Sequence, residues 1–105
     1  MKAFETDELA RLGAEAGRPY LEFLHEAMLS MGLYVLPAGG VDPQQPHRED
    51  EVYVVMRGRG RITVGDETRP VESGSIVYVG RGVSHRFHDI SEELAILVFF
   101  APPES

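Results

Sequence analysis

From residue 29 onward, short runs of apolar and β-branched residues alternate with turns that contain glycine, proline or aspartate. The predicted strands are 29–36, 51–56, 61–64, 68–71, 76–79, 84–88 and 94–100. Short strands separated at close intervals by turn residues are typical of an all-β sandwich or barrel. The last run is apolar at every position, so we expect both of its faces to be buried.

Chain length and composition agree with one folded unit of this kind. The protein has 105 residues, of which 43% are hydrophobic, and this is enough for a single hydrophobic core. Its 11 glycines suit a turn-rich β protein, and its apolar content is too high for a disordered chain. The sequence contains no internal repeat and no linker.

The N-terminal residues differ from the rest and are predicted to precede the barrel. A short helix over residues 7–16, capped by Thr6 and ended by Gly17, carries one apolar stripe and is expected to pack outside the barrel. Residues 20–28 fit either a helix or an extended segment, and we favour extended structure over at least their second half. The predicted division of the chain is 1–28 for the helix and lead-in segment and 29–105 for the barrel.

Charge and cysteine content restrict the partners and the location. The net charge is −7, from 17 acidic and 10 basic residues, which disfavours binding to nucleic acid. The absence of cysteine excludes disulfides and thiolate chemistry. The N-terminus is acidic where a secretory signal would be apolar, and the apolar run at residues 94–101 is too short to cross a bilayer. We therefore expect a cytoplasmic protein that does not bind membranes.

Two histidines and a glutamate stand out because turn glycines frame the segments that contain them. His47 and Glu51 lie in one such segment, and His85 lies in the other. Side chains alternate between the two faces of a strand, so Gln45, His47, Glu51 and Tyr53 point to one side if the first segment is extended. A barrel that places the two segments side by side would direct Gln45, His47, Glu51 and His85 into one cavity.

These side chains are suited to binding a divalent metal ion. Two imidazoles and one carboxylate form the facial triad of non-haem Fe(II) oxygenases, which leaves coordination positions open. Glu51 precedes an apolar run, and a buried carboxylate needs a positive partner such as a metal ion. The alternative partner is a nearby arginine, Arg57, Arg59 or Arg61, in a salt bridge.

The two segments resemble the two sequence motifs of the cupin superfamily, in particular those of its small single-domain members with a conserved barrel. The matching positions are Gly39, His47, Glu51 and Gly58 in the first motif and Gly74, Gly82 and His85 in the second. The 15 residues between the motifs are similar in number to those of compact microbial cupins. The resemblance implies a double-stranded β-helix, or jelly-roll barrel, for most of the chain.

Three positions depart from the cupin motifs. Gly80 replaces a proline and Asp89 replaces an asparagine, and both changes affect turns or loops. Gln45 stands where the family has its first histidine. The resemblance implies a four-ligand site for one divalent ion, Fe, Mn, Ni or Zn, in which Gln45 joins the two histidines and the glutamate. Alternatively, Gln45 hydrogen-bonds a metal-bound water.

The resemblance predicts a metal-binding cupin that holds a small organic molecule beside a divalent ion. Tyr53 and Phe87 are expected to line the pocket, and plain core positions are the alternative for both. One enzymatic version is an Fe(II)-type dioxygenase, and another is a non-redox isomerase or lyase that uses Mn, Ni or Zn. A non-catalytic binding module is the third version. The resemblance also implies a homodimer.

Overall fold

The computed structural model describes every residue from Met1 to Ser105. The elements, in chain order, are α1 Thr6–Ala16, β1 Tyr20–His25, β2 Ser30–Leu36, β3 Asp50–Val64, β4 Glu67–Glu72, β5 Ile76–Val79 and β6 His85–Ala101. The predicted all-β architecture with a short N-terminal helix is confirmed. The single helix has 11 residues, so no helix here is long enough to span a membrane.

The helix α1 begins one residue earlier than predicted. Glu5 precedes it with an extended backbone and makes no side-chain cap, so Thr6 is the first helical residue and not the cap. Gly17 ends the helix in the left-handed conformation at φ 65°, and its N–H donates to the Ala14 carbonyl. The helix buries Leu9 and packs against β1 and β2, outside the strands that enclose the core.

The ambiguous segment after the helix forms a strand and then a turn. β1 is extended over Tyr20–His25, and a hydrogen bond of 2.8 Å from the Glu26 N–H to the Leu29 carbonyl closes the turn that follows. Extended structure in the second half of residues 20–28 is therefore wrong beyond His25, because the chain must reverse there to pair β1 with β2. The lead-in segment thus contributes one strand to the sheet, and the division after residue 28 stays a prediction.

Two long strands, β3 and β6, run the length of the fold and pair with each other antiparallel. Each contains two of the runs that the sequence suggests as separate strands. β3 pairs with β5 through its first half and with β4 through its second half. The second half of β6 pairs with β2, and β1 completes that side. The sheet therefore wraps around one interior.

The long strands bend at the glycines that suggest a turn in the sequence. The pairing of β3 with β6 shifts register between Val55 and Arg61. Gly58 adopts φ 97°, and a Cβ atom there would lie 2.1 Å from the Glu93 carbonyl oxygen. Only glycine permits this backbone and this close approach, so Gly58 lets β3 bend without losing its partner strand.

One hydrophobic core of 13 buried residues fills the interior. Tyr53 and Phe87 lie at its centre, each 0% exposed. In the second half of β6, buried residues alternate with half-buried ones, and the half-buried Leu97 and Phe99 lie on the outer face of the sheet. The expected burial of both faces of this last strand is therefore only partial.

Candidate metal centre

The bend in β3 brings distant side chains to one end of the barrel. Glu51 is the second residue of β3, whereas His85 begins β6 and pairs with Val64 at the far end of β3. A straight strand at 3.3 Å per residue would separate these two ends by about 40 Å. Because β3 folds back at Gly58, the side chains of Glu51 and His85 meet in the interior, and His47 reaches them from the loop before β3.

The side chains of His47, Glu51 and His85, here called the cluster, converge within contact distance. Nε2 of His85 lies 2.8 Å from Oε1 of Glu51, and Nε2 of His47 lies 3.9 Å from the same oxygen. One donor atom from each residue can be chosen so that all lie within 4.8 Å of one another. Two donors about 2.1 Å from one metal ion lie about 3 Å apart at a right angle and about 4.2 Å apart on opposite sides. The two separations from Glu51 therefore suit a shared ion, and the widest separation in the cluster requires a small inward shift of the side chains when the ion binds.

The carboxylate of Glu51 is buried without a hydrogen-bond donor. Its side chain is 1% exposed, and neither oxygen has a hydrogen-bond partner. The short contact with His85 lacks the alignment of a hydrogen bond. The arginine alternative is excluded, because the ion contacts of Glu51 are with His47 and His85 and none is with an arginine. Arg57 and Arg59 instead form salt bridges with acidic residues on the surface. A buried carboxylate in this state is costly, so the site calls for a cation.

The second ring nitrogen of each histidine fixes the orientation of the ring. Nδ1 of His85 lies 2.9 Å from the Val83 carbonyl oxygen, and Nδ1 of His47 lies 3.1 Å from Oε2 of Glu104. Both partners are acceptors, and from this we infer that Nδ1 carries the proton in each neutral ring. Each Nε2 atom then carries a lone pair on the side of the ring that faces the cluster, which is how metal-binding histidines are usually held.

Charge at the cluster favours a bound cation or proton. Burial alone would lower the pKa of His85, but the contacts with the Glu51 carboxylate and the Val83 carbonyl outweigh it, and the pKa is raised. A metal ion would compete with the proton for the same lone pair. Burial raises the pKa of Tyr53 above its ordinary value, so the Tyr53 hydroxyl remains a hydrogen-bond donor at neutral pH.

Gln45, the predicted fourth ligand, lies outside the cluster. It is exposed, and the amide that reaches the cluster belongs to Gln44. Alternation of faces requires an extended strand, but residues 40–47 have no regular secondary structure and β3 begins only at Asp50. The expectation that Gln45 contacts the metal is corrected for this reason.

Gln44 links the cluster to two buried polar groups. Its Oε1 atom lies 3.4 Å from Nε2 of His47 and 3.3 Å from Nε2 of His85. The same oxygen accepts a hydrogen bond of 2.7 Å from the Tyr53 hydroxyl. The amide nitrogen donates to the carboxylate of Asp42 at 2.8 Å. The side chain is therefore held at both ends, with its oxygen at the cluster.

The two residues expected to line a pocket, Tyr53 and Phe87, lie in the core. Their ring centroids are 5.0 Å apart in an edge-to-face arrangement. Neither ring lines the cavity next to the cluster, because the inward faces of β3 and β6 pack these rings against each other. Tyr53 still reaches the site through its hydroxyl, which contacts Gln44.

A cavity of about 190 Å³ opens beside the cluster. It is lined by Tyr20, Tyr34, Gln44, His47, Val98 and Glu104. No lysine or arginine lines it, and Glu104 brings a carboxylate whose pKa is raised by burial. The hydroxyl of Tyr20 is buried against Gly32 and has no hydrogen-bond partner. Glu104 can therefore offer a hydrogen-bond acceptor to a ligand in this cavity.

Sequence patterns do not single out Gln44, Asp42 or Glu104. Asp42 and Gln44 belong to an irregular loop, and Glu104 comes from the opposite end of the chain. One local signal concerns the loop residues. Pro43 and Pro46 disfavour a continuous strand through this segment, so strand alternation cannot be used to decide which of its side chains point inward.

Comparison with known proteins agrees with this geometry. The sequence model of a family described as Cupin domain matches residues 32–101, a range that includes the whole cluster. The chain belongs to the cupin family. This cupin is 56% identical to an uncharacterized protein of Streptomyces coelicolor over 105 residues, which is 100% of both chains.

Solved structures share the fold of this cupin at low sequence identity. The TT1209 protein of Thermus thermophilus aligns with a TM-score of 0.80 and 22% identity, over 98% of this chain and 99% of that chain. An RmlC-like cupin family protein of Methanocaldococcus jannaschii, which has a double-stranded β-helix fold, aligns with a TM-score of 0.72 and 22% identity, over 79% of this chain and 78% of that chain. The predicted double-stranded β-helix is confirmed.

Proposed function

We propose that this cupin binds one divalent metal ion through His47, Glu51 and His85 and holds a small organic molecule beside it. The supporting observation is the buried Glu51 carboxylate, which lacks a hydrogen-bond donor and faces two imidazole nitrogens that are themselves acceptors. Acceptors gathered in a buried site repel one another unless a cation lies among them. Imidazole and carboxylate ligands suit Fe, Mn, Ni and Zn. A bound ion would supply Lewis acidity or, in the case of iron, redox chemistry.

Metal content tests this proposal directly. Protein purified without chelator should contain about one divalent ion per chain by mass spectrometry, and His47→Ala combined with His85→Ala should contain none. The matched control is His25→Ala combined with His88→Ala, which removes two histidines outside the cluster and should leave the metal content unchanged. A full complement of metal in the cluster variant, with its β structure intact by circular dichroism, would show that the ligands are misassigned.

The cavity favours a small ligand without negative charge. A volume of about 190 Å³ is only slightly larger than the cavity of about 150 Å³ that accommodates benzene in an engineered protein. Glu104 makes the lining negative and no basic side chain offsets it, which disfavours carboxylates and phosphates. A metal ion bound at the cluster would accept a carbonyl or hydroxyl oxygen as a further ligand. We therefore expect an uncharged molecule of few heavy atoms that carries such an oxygen.

Metal identity and oxygen uptake separate the roles proposed for this site. Iron in the purified protein, with oxygen consumed when small uncharged carbonyl or hydroxyl compounds are added, supports an Fe(II)-type dioxygenase. Manganese, nickel or zinc, with turnover that consumes no oxygen, supports an isomerase or lyase. Binding of such compounds without turnover supports a non-catalytic module. The cluster suits each role, because three protein ligands leave coordination positions for a small molecule.

We also propose that the chain forms a homodimer through the outer face of the sheet region formed by β2, β6, β3 and β5. Two rows of apolar side chains cross strands β2, β6, β3 and β5 on that face. The rows contain Met31, Phe99, Val52 and Tyr78, and then Leu97, Val54 and Ile76. Ile76 is 67% exposed and Tyr78 is 63% exposed, so part of this surface is open to water. A continuous apolar face of this kind is suited to a second copy of the same face.

The oligomeric state can be measured by light scattering coupled to gel filtration. Ile76→Glu with Tyr78→Glu should convert a dimer to a monomer, because two charges would be buried at the proposed interface. Val41→Glu is the matched control, since Val41 is 82% exposed and lies in the loop before the cluster. A monomer in the unmodified protein, or a dimer that survives the double substitution, would contradict the proposed interface.

A further inference from the structure

We infer that the amide oxygen of Gln44, oriented by Asp42, is a fourth donor to the bound metal ion and takes the role that the motif assigns to Gln45. This inference rests on the metal-binding function proposed above. It concerns residues that lie in an irregular loop, where the position of a side chain follows from its hydrogen bonds and not from strand alternation.

The hydrogen bonds of Gln44 decide which end of its amide faces the cluster. The amide nitrogen donates to Oδ2 of Asp42 at 2.8 Å, and the backbone N–H of Gln44 lies 3.3 Å from Oδ1 of the same carboxylate. A carboxylate accepts hydrogen bonds and does not donate them, so the amide cannot be reversed without losing this contact. The amide oxygen must therefore be the end that faces the interior.

The surroundings of that oxygen leave one lone pair without a donor. The Tyr53 hydroxyl donates to it at 2.7 Å and occupies one lone pair. Its other neighbours are Nε2 of His85 at 3.3 Å and Nε2 of His47 at 3.4 Å. In the neutral rings both nitrogens are acceptors, because their Nδ1 atoms face acceptors. Three acceptors from three residues thus point at one another, and a cation shared with Glu51 would satisfy all of them.

Asp42 holds this arrangement in advance of metal binding. It is 6% exposed, and both of its carboxylate oxygens accept hydrogen bonds. Besides Gln44, it accepts hydrogen bonds from the Tyr34 hydroxyl at 2.6 Å and from the Phe87 backbone N–H at 2.9 Å. These contacts tie the loop to β2 and to β6. A donor fixed to two strands loses little freedom when it binds an ion, so its contribution to affinity is preserved.

The fourth donor has a chemical consequence for the choice of metal. An amide oxygen is neutral and hard, so the set becomes two imidazoles, one carboxylate and one carbonyl. Compared with a third imidazole, this oxygen shifts the site towards ions that accept oxygen ligands, such as Mn(II) and Fe(II), and away from Cu(II). The ligand charge remains that of one carboxylate.

Substitution of Gln44 by methionine removes the amide while keeping a side chain of similar length. We expect Gln44→Met to lower Mn(II) affinity, measured by calorimetry, by roughly 100-fold, at or beyond the upper end of what the loss of an outer contact causes. In protein loaded with Co(II), the visible absorption bands should also change, because they report the number and type of ligand atoms. Gln45→Met is the matched control and should leave both measurements unchanged, since Gln45 is exposed.

The outcomes separate this inference from the proposed function. If the unmodified protein binds no Mn(II) or Co(II), the metal-binding function itself is contradicted. If it binds one ion and Gln44→Met matches it in affinity and spectrum, only the role of Gln44 is overturned. A weaker affinity with an unchanged Co(II) spectrum also overturns it, because Gln44 would then act without touching the metal. If Gln44→Met does not fold, Gln44→Ser is measured in the same way.

Discussion

Two of the four proposed donors, Glu51 and His85, lie on β3 and β6, whereas Gln44 and His47 lie in the loop before β3. On the strand side, Glu51 and His85 are placed by the backbone ladder between two long strands. On the loop side, the donors have no ladder, and Asp42 and Glu104 hold them through hydrogen bonds or ion contacts of 2.8 Å and 3.1 Å. The two sides of one site are thus held by different means.

The loop side is the part of the site that substitutions outside the cluster can weaken. A strand-borne donor moves only if the barrel moves, so it can be disabled only by changing the donor itself. A loop-borne donor depends on one or two side chains that hold it, and such outer residues typically control metal affinity by about 10–100-fold. Substitutions at the holding residues should therefore weaken the loop side while the strand side remains intact.

The largest effect is expected for Glu51→Gln on the strand side. Loss of the only charged donor should reduce metal affinity on the order of 1000-fold or more, well beyond the effect of an outer residue. The same change should raise the stability of the metal-free protein by about 1–3 kcal/mol at mildly alkaline pH, because it removes a buried charge that lacks a donor. Calorimetric metal titration and urea unfolding in chelator measure the two quantities.

The control for this variant is Glu93→Gln, which changes a half-exposed carboxylate on the surface. It should leave metal affinity unchanged and alter stability by less than about 1 kcal/mol. If Glu51→Gln instead destabilises the metal-free protein strongly at that pH, the carboxylate must have a partner in the absence of metal. The case for a cation at this position would then fail.

A smaller effect is expected for Asp42→Asn on the loop side. An asparagine would turn an NH2 group towards at least one of the groups that now donate a hydrogen bond to Asp42. The amide of Gln44 would then no longer be fixed in its present orientation. Metal affinity should fall by roughly 10–100-fold, and stability by about 1–3 kcal/mol. Asp66→Asn, in the exposed turn between β3 and β4, is the control and should change neither quantity.

A double-mutant cycle sharpens this test. If Asp42 acts through Gln44, Asp42→Asn should weaken metal binding little further once Gln44→Met is present. Independent, additive losses would mean that Asp42 supports the site by another route, such as the Tyr34 and Phe87 contacts. The strand side offers a reference, because neither variant should alter the β content measured by circular dichroism.

The same contrast explains how much of the fold follows from the sequence. The glycine frame and the apolar runs predict the barrel, and Glu51 and His85 are correctly paired because motif spacing reflects strand geometry. The segment around Gly58 looks like a turn between two strands, but it is a bend inside β3. The local sequence indicates that glycine is needed there. It does not indicate that β6 follows the same bend and stays hydrogen-bonded to both halves of β3.

The loop side was beyond local prediction for a physical reason. Gln44 and Gln45 are adjacent amides, and only contacts from remote residues decide which one turns inward. Asp42 selects Gln44 through hydrogen bonds that also involve β2 and β6. Glu104 reaches His47 from a segment that follows the last strand. No spacing rule connects these positions, since an irregular backbone has no fixed period.

The smallest effect is expected for Glu104→Ala. It removes the acceptor for Nδ1 of His47, so the ring can rotate and the proton can move to the nitrogen that faces the cluster. Metal affinity should fall by about 10-fold, and stability should change little, because the Glu104 side chain is partly exposed. Glu67→Ala, on the exposed strand β4, provides the control.

Replacement of Glu104 by glutamine distinguishes the two ways in which this residue can act. The amide oxygen of Glu104→Gln keeps an acceptor beside Nδ1 of His47, and the backbone N–H at this position still donates to the Ser30 hydroxyl at 3.0 Å. Most of the metal affinity lost in Glu104→Ala should therefore return in Glu104→Gln. An affinity as low as that of the alanine variant would show that negative charge is what matters. The loop side would then be held by electrostatic attraction to the metal and His47, and not by the fixed orientation of one ring.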